Sequence, residues 1–221
     1  MKVSHRLVII SALFVTCLIT ANIISVKMIS LGPFTVFAGV FIFPLSYIVG
    51  DVLTEVYGYR IARRVIWLGF GCNLIFVIFA WVGQVLPSPA AWELQEAYES
   101  ILGYTPRLLV ASFCGYLVGE FANSFILARM KIFTKGRWLW SRTIGSTIVG
   151  EGLDTVVFTF LALIGTPFFM LAVMLSQWLV KVLVETVATP ATYAVVSYLK
   201  RKEAIDTYDR ETRFNPFLVW D

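Results

Sequence analysis

Histidine and charged residues are scarce in this sequence. Its one histidine, His5, lies close to the N-terminus, and Asp, Glu, Lys and Arg together make up 14% of the 221 residues. A lone terminal histidine argues against most metal centres and against Ser/His or Cys/His catalysis, because these need imidazole at the site. Soluble domains typically carry about 25% charged residues, so the shortage of charge also argues against a soluble fold.

Paired cysteines and enzyme motifs are missing as well. Cys17, Cys72 and Cys114 fall within apolar runs, and none has the spacing to another cysteine or histidine that is typical of a metal site. We interpret them as small buried apolar residues. The sequence has no HExxH, GxSxG, P-loop or CxxC motif. It therefore predicts no catalytic residue, no cofactor and no metal site.

Apolar residues are abundant instead and make up 58% of the sequence. Several apolar runs are near the roughly 20 residues that a helix needs to cross a bilayer. The first run follows Lys2, is too long for a signal peptide and has no small-residue cleavage site after it, so we interpret it as a retained span. Six spans are predicted, near residues 7–27, 34–56, 63–86, 106–128, 143–165 and 168–199.

The expected fold class is therefore all-α, an integral membrane protein built as a bundle of six transmembrane helices. Residues 1–199 are expected to form this one domain, and residues 200–221 a charged tail that is solvated and mobile. Segments 50–54 and 150–154 share a pattern one hundred residues apart. The pattern leaves open an inverted repeat of two three-helix halves.

Basic residues are distributed unequally between the two sides of the predicted spans. Of the 18 Lys and Arg, fifteen fall on the side of the termini, two on the other side, and Lys181 within the last span. This bias predicts that both termini lie in the cytoplasm. The net charge of +4 is then a sign of topology in a lipid bilayer, and no nucleic-acid partner is predicted. Residues 87–105, on the opposite side, predict a short amphipathic helix at the membrane surface.

Seven ionisable residues lie inside the predicted spans. A charge at the centre of a membrane helix costs roughly 2.5–3.5 kcal/mol even on the mildest insertion scale. Side chains of this kind are expected to face the interior of the bundle, where they find partners or line a wet cavity. A polar transport pathway is therefore a better interpretation than a membrane anchor. The seven are Asp51, Glu55, Glu120, Glu151, Asp154, Lys181 and Glu185.

Most of these residues fall into sets that share one face of a helix. One explanation of the sets is structural, with an ion pair of Lys181 and polar side chains holding helices together. The excess of acids over one base favours protonated carboxyl groups, a cationic ligand, or a ligand that supplies hydrogen-bond donors. The sets are Asp51 with Glu55, Glu151 with Asp154, and Gln177 with Lys181 and Glu185.

Three motifs, in order along the chain, resemble those of one family. The run Phe43–Gly58 followed by Ala62-Arg63-Arg64 resembles the leading motif of the bacterial queuosine precursor transporters, the vitamin uptake transporter family. Residues 145–155 resemble the second motif of that family, and residues 181–183 the third. Family positions are matched by Asp51, Arg64, Asp154, Thr155 and Lys181, whereas Glu151 departs from the pattern.

The resemblance implies an importer in the bacterial inner membrane. Its substrates would be 7-deazaguanine bases for tRNA modification, such as 7-cyano-7-deazaguanine and its aminomethyl form. The N–H and the exocyclic amine of such a base suit a bidentate carboxylate, for which Asp154 and Glu151 are candidates. Lys181 or Gln177 would donate to the ring carbonyl. The stacking candidates are Tyr47, Phe158 and Trp178, and Asp51 is a further substrate-binding candidate. The gate or coupling candidates are Asp51, Glu55, Arg64, Glu120 and Glu185.

Alternative functions stay open at this point. A substrate-binding subunit of an energy-coupling-factor vitamin transporter also has six spans and a polar pocket. Its small-residue face on the first helix is not evident here, since Ala12 and Ala21 are nine residues apart. An intramembrane enzyme could use the carboxylates as an acid/base pair or as metal ligands, although no histidine lies near them. The sequence leaves open the base carried, proton coupling or another energy source, and a homodimer.

Overall fold

A computed structural model describes residues 4–32, 34–103, 106–165 and 171–219 of the chain. The fold is built from helices, with one small β-hairpin after the first of them. The helices are α1 (His5–Ile24), α2 (Phe43–Tyr57), α3 (Tyr59–Val85), α4 (Gln95–Leu102), α5 (Pro106–Phe133), α6 (Leu139–Leu163) and α7 (Leu171–Glu203). Strands β1 (Met28–Leu31) and β2 (Phe34–Phe37) form the hairpin, and a short 3-10 helix (Ala38–Phe41) leads from it into α2.

Six of the helices in the described part of the chain are long and apolar enough to cross a membrane. Only α4 is too short, and the 3-10 helix counts with α2 as one span. Large apolar side chains such as Ile9, Phe79 and Val187 are exposed on the outside of the bundle, whereas Glu120 and Glu151 are fully buried. Apolar outside and polar inside is the arrangement that lipid requires. The predicted all-α membrane bundle is confirmed.

The second span begins later than the sequence predicted. Residues 34–37, expected at the start of a helix, instead pair antiparallel with β1, with Met28 opposite Phe37. Helix α2 begins only at Phe43, with Pro44 in its first turn. A proline there costs no hydrogen bond, since the first N–H groups of a helix have no partner within it. The second strand of the hairpin, which ends at Phe37, packs against α7.

Helix α2 lies at the centre of the bundle. Eleven of its fifteen residues are buried, so its polar side chains face protein rather than lipid. It packs against α1, α3, α5 and α7. The two acids of α2, Asp51 and Glu55, are each 1% exposed. The motif recognised in the sequence therefore forms the core of the bundle.

Helices α5 and α6 approach closely through glycines. A Cβ atom at Gly119 would lie 2.4 Å from the Tyr47 hydroxyl oxygen and 3.0 Å from the backbone oxygen of Gly150. A Cβ at Gly115, one turn earlier on α5, would lie 2.7 Å from Oδ1 of Asp154. Gly115 and Gly119 form a GxxxG pattern, which permits close helix contact in membranes. These glycines let the α6 carboxylate fit against the α5 backbone.

The C-terminal tail folds back over one end of the bundle. We call this end the terminal face, because Ser4 donates to Glu203 there and both described termini lie at it. The tail accepts hydrogen bonds from α3 through its carbonyl groups: Arg63 to Asn215 at 2.7 Å, Trp67 to Pro216 at 2.7 Å and Arg64 to Val219 at 2.9 Å. These hydrogen bonds dock the tail on α3, whose donors it satisfies, where the sequence predicted a segment free in solvent.

Candidate functional site

A polar cavity lies among α1, α2, α5, α6 and α7, on the hairpin side of the bundle. This central cavity encloses about 60 Å³. An adjoining cavity of about 220 Å³ shares five of its lining residues and extends to the end of α4 at Gly103. The site is therefore reached from the hairpin side. The central cavity is lined by Leu18, Asn22, Ser25, Phe37, Val40, Phe43, Ser112, Tyr116, Asp154, Phe158, Gln177 and Lys181.

Lys181 joins two carboxylates at the base of the central cavity. Its Nζ donates to Oε2 of Glu151 and to Oδ2 of Asp154, both at 2.7 Å. The side chain of Glu151 is 0% exposed and that of Asp154 is 14% exposed. The same ammonium lies 4.9 Å from the centre of the Phe43 ring, within cation–π distance. Two acids and one base meet here, and only Asp154, the more exposed of the two acids, lines the cavity.

Aromatic rings form the walls of the central cavity. Phe37 of the hairpin and Phe158 of α6 meet edge to face, with ring centres 6.2 Å apart. Phe43 lies on the opposite approach, beside Lys181. Flat apolar walls above a few convergent polar groups are typical of small-molecule sites. This arrangement suits a planar ligand with a polar edge.

One helical turn from Lys181, toward the terminal face, two further acids meet. Asp51 of α2 and Glu185 of α7 lie within hydrogen-bonding range of each other, and we call them the carboxyl pair. Asn123 donates to Oδ1 of Asp51 at 2.7 Å, and Thr147 donates to Oε1 of Glu185. Both donors are neutral. The carboxyl pair is therefore buried without a direct cationic partner among the described residues.

Glu120 of α5 is buried in the same region. It is 0% exposed, and neither of its carboxyl oxygens has a hydrogen-bond partner among the described residues. A Cβ atom at Gly50 would lie 3.2 Å from its Oε2, so the glycine leaves room for this side chain against α2. A buried polar group without a partner is costly and is rarely kept without a function.

A third set of charges closes the bundle at the terminal face. We call it the terminal cluster: Glu55 accepts from Lys200 at 2.6 Å and from Arg142 at 2.9 Å, and Lys131 lies 3.6 Å away. Asp206 of the tail accepts from Lys131 at 2.6 Å and contacts Lys200 at 2.9 Å. Although partial burial opposes it, hydrogen bonds from these two lysines lower the pKa of Asp206. The terminal cluster thus ties α2, α5, α6, α7 and the tail together.

Several predicted site residues come together in the structure. Asp154, Lys181, Gln177 and Phe158 line the central cavity, and Glu151 lies directly behind it. The remaining coupling candidates occupy two places, because Asp51, Glu120 and Glu185 lie deep in the bundle and Glu55 lies in the terminal cluster.

Three other predicted residues do not contact the cavity. Trp178 donates to the backbone oxygen of Ile148 in an outer groove between α6 and α7, so it cannot stack on a ligand in the central cavity. Tyr47 is 2% exposed and packs against Gly119, behind the cavity wall. Arg64 of α3 donates to the tail at the terminal face and does not line the cavity that contains Lys181. These residues were chosen because they lie close to the motifs in the sequence. Sequence position does not show which face of a helix points into the bundle.

Some lining residues escaped the sequence prediction. Phe37 and Phe43 form cavity walls, and Ser25 and Ser112 contribute polar atoms. Asn22 of α1 also lines the cavity. A signal for Phe43 existed, since it begins the first motif and lies two turns before Asp51. The serines carried no signal, because single hydroxyl residues are common in membrane helices.

A polytopic helical bundle with a charged cavity accessible from one face is the architecture of a membrane transporter. Among the residues that the structure describes, no three His, Cys, Asp or Glu side chains group as metal ligands. The cavity instead offers carboxylate, ammonium and amide groups to an organic ligand. The class is thus a multi-pass membrane transporter for a small molecule.

Sequence comparison gives the particular family. A family model described as "Putative vitamin uptake transporter" matches residues 37–195. The chain is 31% identical to the "Probable queuosine precursor transporter" of Bacillus subtilis (strain 168) over 189 residues, 84% of this chain and 82% of that protein. It is 25% identical to the "Queuosine precursor transporter" of Escherichia coli (strain K12) over 173 residues, 76% of each. No solved structure matches the chain significantly.

The chain therefore belongs to the vitamin uptake transporter family. The resemblance seen in the sequence is confirmed, and the protein is a transporter rather than an enzyme. The matched region spans α2 to most of α7, so it includes every acid of the central cavity and of the carboxyl pair.

Proposed function

We propose that this protein imports 7-deazaguanine bases, the precursors of queuosine, across the bacterial inner membrane. The names of its two relatives support this substrate class. The observation that carries the proposal is the Lys181–Asp154 pair at the base of an aromatic-walled cavity. The basic terminal face would lie in the cytoplasm, by the bias of Lys and Arg. The central cavity would then face the exterior, where an importer receives its substrate.

Asp154 is the carboxylate that we assign to the base edge. It lines the cavity, and one bond from Lys181 to Oδ2 leaves lone pairs on both of its oxygens that can accept from the ligand. The ring N–H and the exocyclic amine of a guanine-like base are neighbouring donors that a carboxylate accepts together. Glu151 is fully buried behind Lys181 and serves to hold the ammonium in position.

Lys181 and Gln177 would complete the recognition of the base. Both line the cavity, one turn apart on α7. The ammonium can donate to the ring carbonyl, and the amide of Gln177 can donate or accept at another ring atom. Phe43 and Phe158 would enclose the flat ring. Phe43 takes the stacking role that the sequence gave to Trp178.

The test is uptake of labelled 7-cyano-7-deazaguanine by proteoliposomes that contain only this chain. Asp154→Asn keeps the shape of the side chain and removes a charge-assisted hydrogen bond worth about 1.5–3 kcal/mol. We expect uptake at low substrate concentration to fall by at least about tenfold. Glu96→Gln, at an exposed acid of α4, is the control and should transport as the wild type does.

Two outcomes would contradict the proposal. Normal uptake by a folded Asp154→Asn variant would remove Asp154 from the substrate site. Absence of uptake by the wild-type chain, in protein that remains monodisperse, would argue for another substrate or for a partner that energises transport. Uptake of the aminomethyl base, measured in parallel, would define which precursor is preferred.

A further inference from the structure

The carboxyl pair has no role in the recognition of a base. Asp51 and Glu185 do not line the central cavity, yet they are only 1% and 2% exposed. They lie one turn from the lysine site along the helices, because Glu185 follows Lys181 by four residues and Thr147 precedes Glu151 by four. A fixed second layer of acids behind a substrate site needs its own explanation.

The hydrogen bonds of the carboxyl pair leave two oxygens unused. Oδ1 of Asp51 accepts from Asn123, and Oε1 of Glu185 accepts from Thr147. Oδ2 of Asp51 and Oε2 of Glu185 have no donor among the described residues, and neither has Oδ1 of Asn123. The two carboxyl groups nevertheless lie within hydrogen-bonding range of each other. One proton between them would satisfy both free oxygens and remove the repulsion of like charges.

The residues around the carboxyl pair do not supply a cation that could take the place of this proton. Glu120 faces it from α5, Glu151 faces it from α6, and Glu55 lies one turn away on α2. Lys181 of α7 is already bound to Glu151 and Asp154. Helices α1 and α3 bring no charged group to this depth, since all of theirs lie in the first two turns at the terminal face. The other titratable groups nearby are the buried hydroxyls of Tyr47 and Tyr116.

We propose that Asp51 and Glu185 form a proton-binding site that couples import of the base to entry of one proton. The inference rests on the proposed function, since it concerns the same transport cycle. The proton would reach the pair from the hairpin side, together with the base. It would leave toward the terminal face when the substrate site opens there, so one proton crosses the membrane for each base.

The geometry links the two sites through Lys181. A base whose ring carbonyl accepts from the Lys181 ammonium holds that charge at the central cavity, beside Glu151 and Asp154. The ammonium is then kept away from Glu185, one turn along α7. A carboxyl pair with no positive charge close to it holds its proton more strongly. Arrival of the base therefore favours the protonated pair, so that base and proton are carried together.

Exit toward the terminal face is closed in this conformation. Glu55, one turn beyond Asp51 on α2, binds Arg142 and Lys200 and lies near Lys131. Arg142 and Lys131 are each 1% exposed. The terminal cluster therefore separates the proton site from the terminal face while the central cavity adjoins the hairpin side. Such one-sided closure is what a coupled transporter needs in its substrate-receiving state.

The first test compares gradients in proteoliposomes that contain the full-length chain. With one proton per base, a difference of one pH unit, acidic outside, should support about tenfold accumulation of labelled 7-cyano-7-deazaguanine. A protonophore should abolish the accumulation. Equal uptake with and without the pH gradient would overturn the inference. Accumulation driven by a sodium gradient at constant pH would overturn it too, because the site would then bind sodium.

The second test separates coupling from substrate binding. Asp51→Asn and Glu185→Gln keep the side-chain shapes but remove the shared proton, and Glu96→Gln is the control. Exchange of labelled for unlabelled base, without any gradient, needs only the substrate site and its movement. We expect both variants to retain exchange and to lose gradient-driven accumulation. Accumulation that still follows the pH gradient in both variants would overturn the inference, whereas failure of exchange in the wild type would contradict the proposed function itself.

Discussion

Asp51 and Glu55 occupy the same face of α2, one turn apart, yet their surroundings are opposite. Glu55 has two cations within 3 Å of one oxygen and a third at 3.6 Å. Asp51 has one neutral amide donor and a second carboxyl group as its neighbours. Both side chains are equally buried. Burial therefore does not distinguish a structural charge from a functional one in this protein, whereas the nature of the partners does.

The same contrast separates the terminal face from the middle of the bundle. At the terminal face, each acid of the terminal cluster contacts cations, and the cluster is tied to the tail. In the middle, five acids share Lys181 as the one cation that contacts any of them in the described residues. Matched charges hold helices at fixed distances. Unmatched acids are costly unless a proton or a ligand compensates them, so the middle of the bundle is where binding can change the structure.

The largest effect is expected at Lys181, because removing this cation increases the excess of acids over bases in the middle of the bundle. Lys181→Met leaves Glu151 and Asp154 buried without a base, which typically costs about 3–5 kcal/mol. We expect the midpoint of thermal unfolding in detergent to fall by about 10 °C and uptake to be lost. Adding Glu151→Gln to this variant should recover part of the stability and none of the uptake. Wild-type stability of Lys181→Met would show that the pair contributes little.

A somewhat smaller effect is expected at Glu55, where the comparison with Asp51 can be tested by removing the acid that has cationic partners. Glu55→Gln removes the carboxylate from three cations and should cost about 3 kcal/mol, since Asp206 still compensates two of them. Exchange of the base should persist in the folded fraction. The matched control is Glu203→Gln, whose partner Arg6 is 41% exposed. Although the Glu203 side chain is only 8% exposed, the pair reaches solvent through Arg6 and should contribute no more than about 1 kcal/mol. Equal losses in both variants would contradict the contrast.

The tail should show a moderate effect through Asp209. Its Oδ2 accepts from the backbone N–H of Tyr59, the first residue of α3, at 3.0 Å. Asp209→Ala leaves this N–H without its cap, so we expect a loss of about 1 kcal/mol in the free energy of unfolding. Asp209→Asn retains an acceptor and should lose less. Thermal unfolding of both variants measures this, and no change in either would mean that the tail adds nothing to the terminal face.

The smallest effect is expected at Asp206 and should depend on pH. Because its pKa is lowered in the folded protein, its contribution is present above the ordinary value of about 3.9 and is lost as the pH falls through the lowered value. The side chain is 44% exposed, so Asp206→Asn should cost less than about 1 kcal/mol at pH 7. The difference from the wild type should shrink as the pH falls below about 3.9 and should vanish once Asp206 is protonated in the folded protein. A cost that stays constant over this fall in pH would argue against an ionic contribution.

Much of the fold was predictable, because each membrane helix must be apolar over its own length. The six spans were predicted within a few residues, except at the start of α2. There, residues 34–37 are apolar enough to read as a span, but they pair with β1 instead. Hydropathy does not report such a hairpin. The docking of the tail also escaped prediction, since it depends on Arg63 and Arg64 of α3, which look in the sequence like loop charges.

The sequence predicted which residues belong to the candidate site, but not how their side chains are placed relative to the cavity. Spacing placed Lys181 and Glu185 on one face of a helix, and the structure agrees. Spacing could not show that Asp154 lines the cavity while Glu151 lies behind it, nor that Trp178 faces outward. Those distinctions follow from how α6 and α7 are rotated in the bundle. The GxxxG pattern at Gly115 and Gly119 was the available signal for the α5–α6 contact.

The sequence by itself determined the class of protein, because the cost of charge in a bilayer restricts acids and bases to the interior of a helical bundle. Its motifs also indicated the family. Only the tertiary structure decided which acids have cations. Asp51 and Glu55 cannot be told apart as a pair four residues apart, and their difference arises from α5, α6 and α7, which bring bases to one end of α2 and none to its middle. Partners from distant parts of the chain, not local spacing, thus distinguish Glu55 in the terminal cluster from Asp51 in the carboxyl pair.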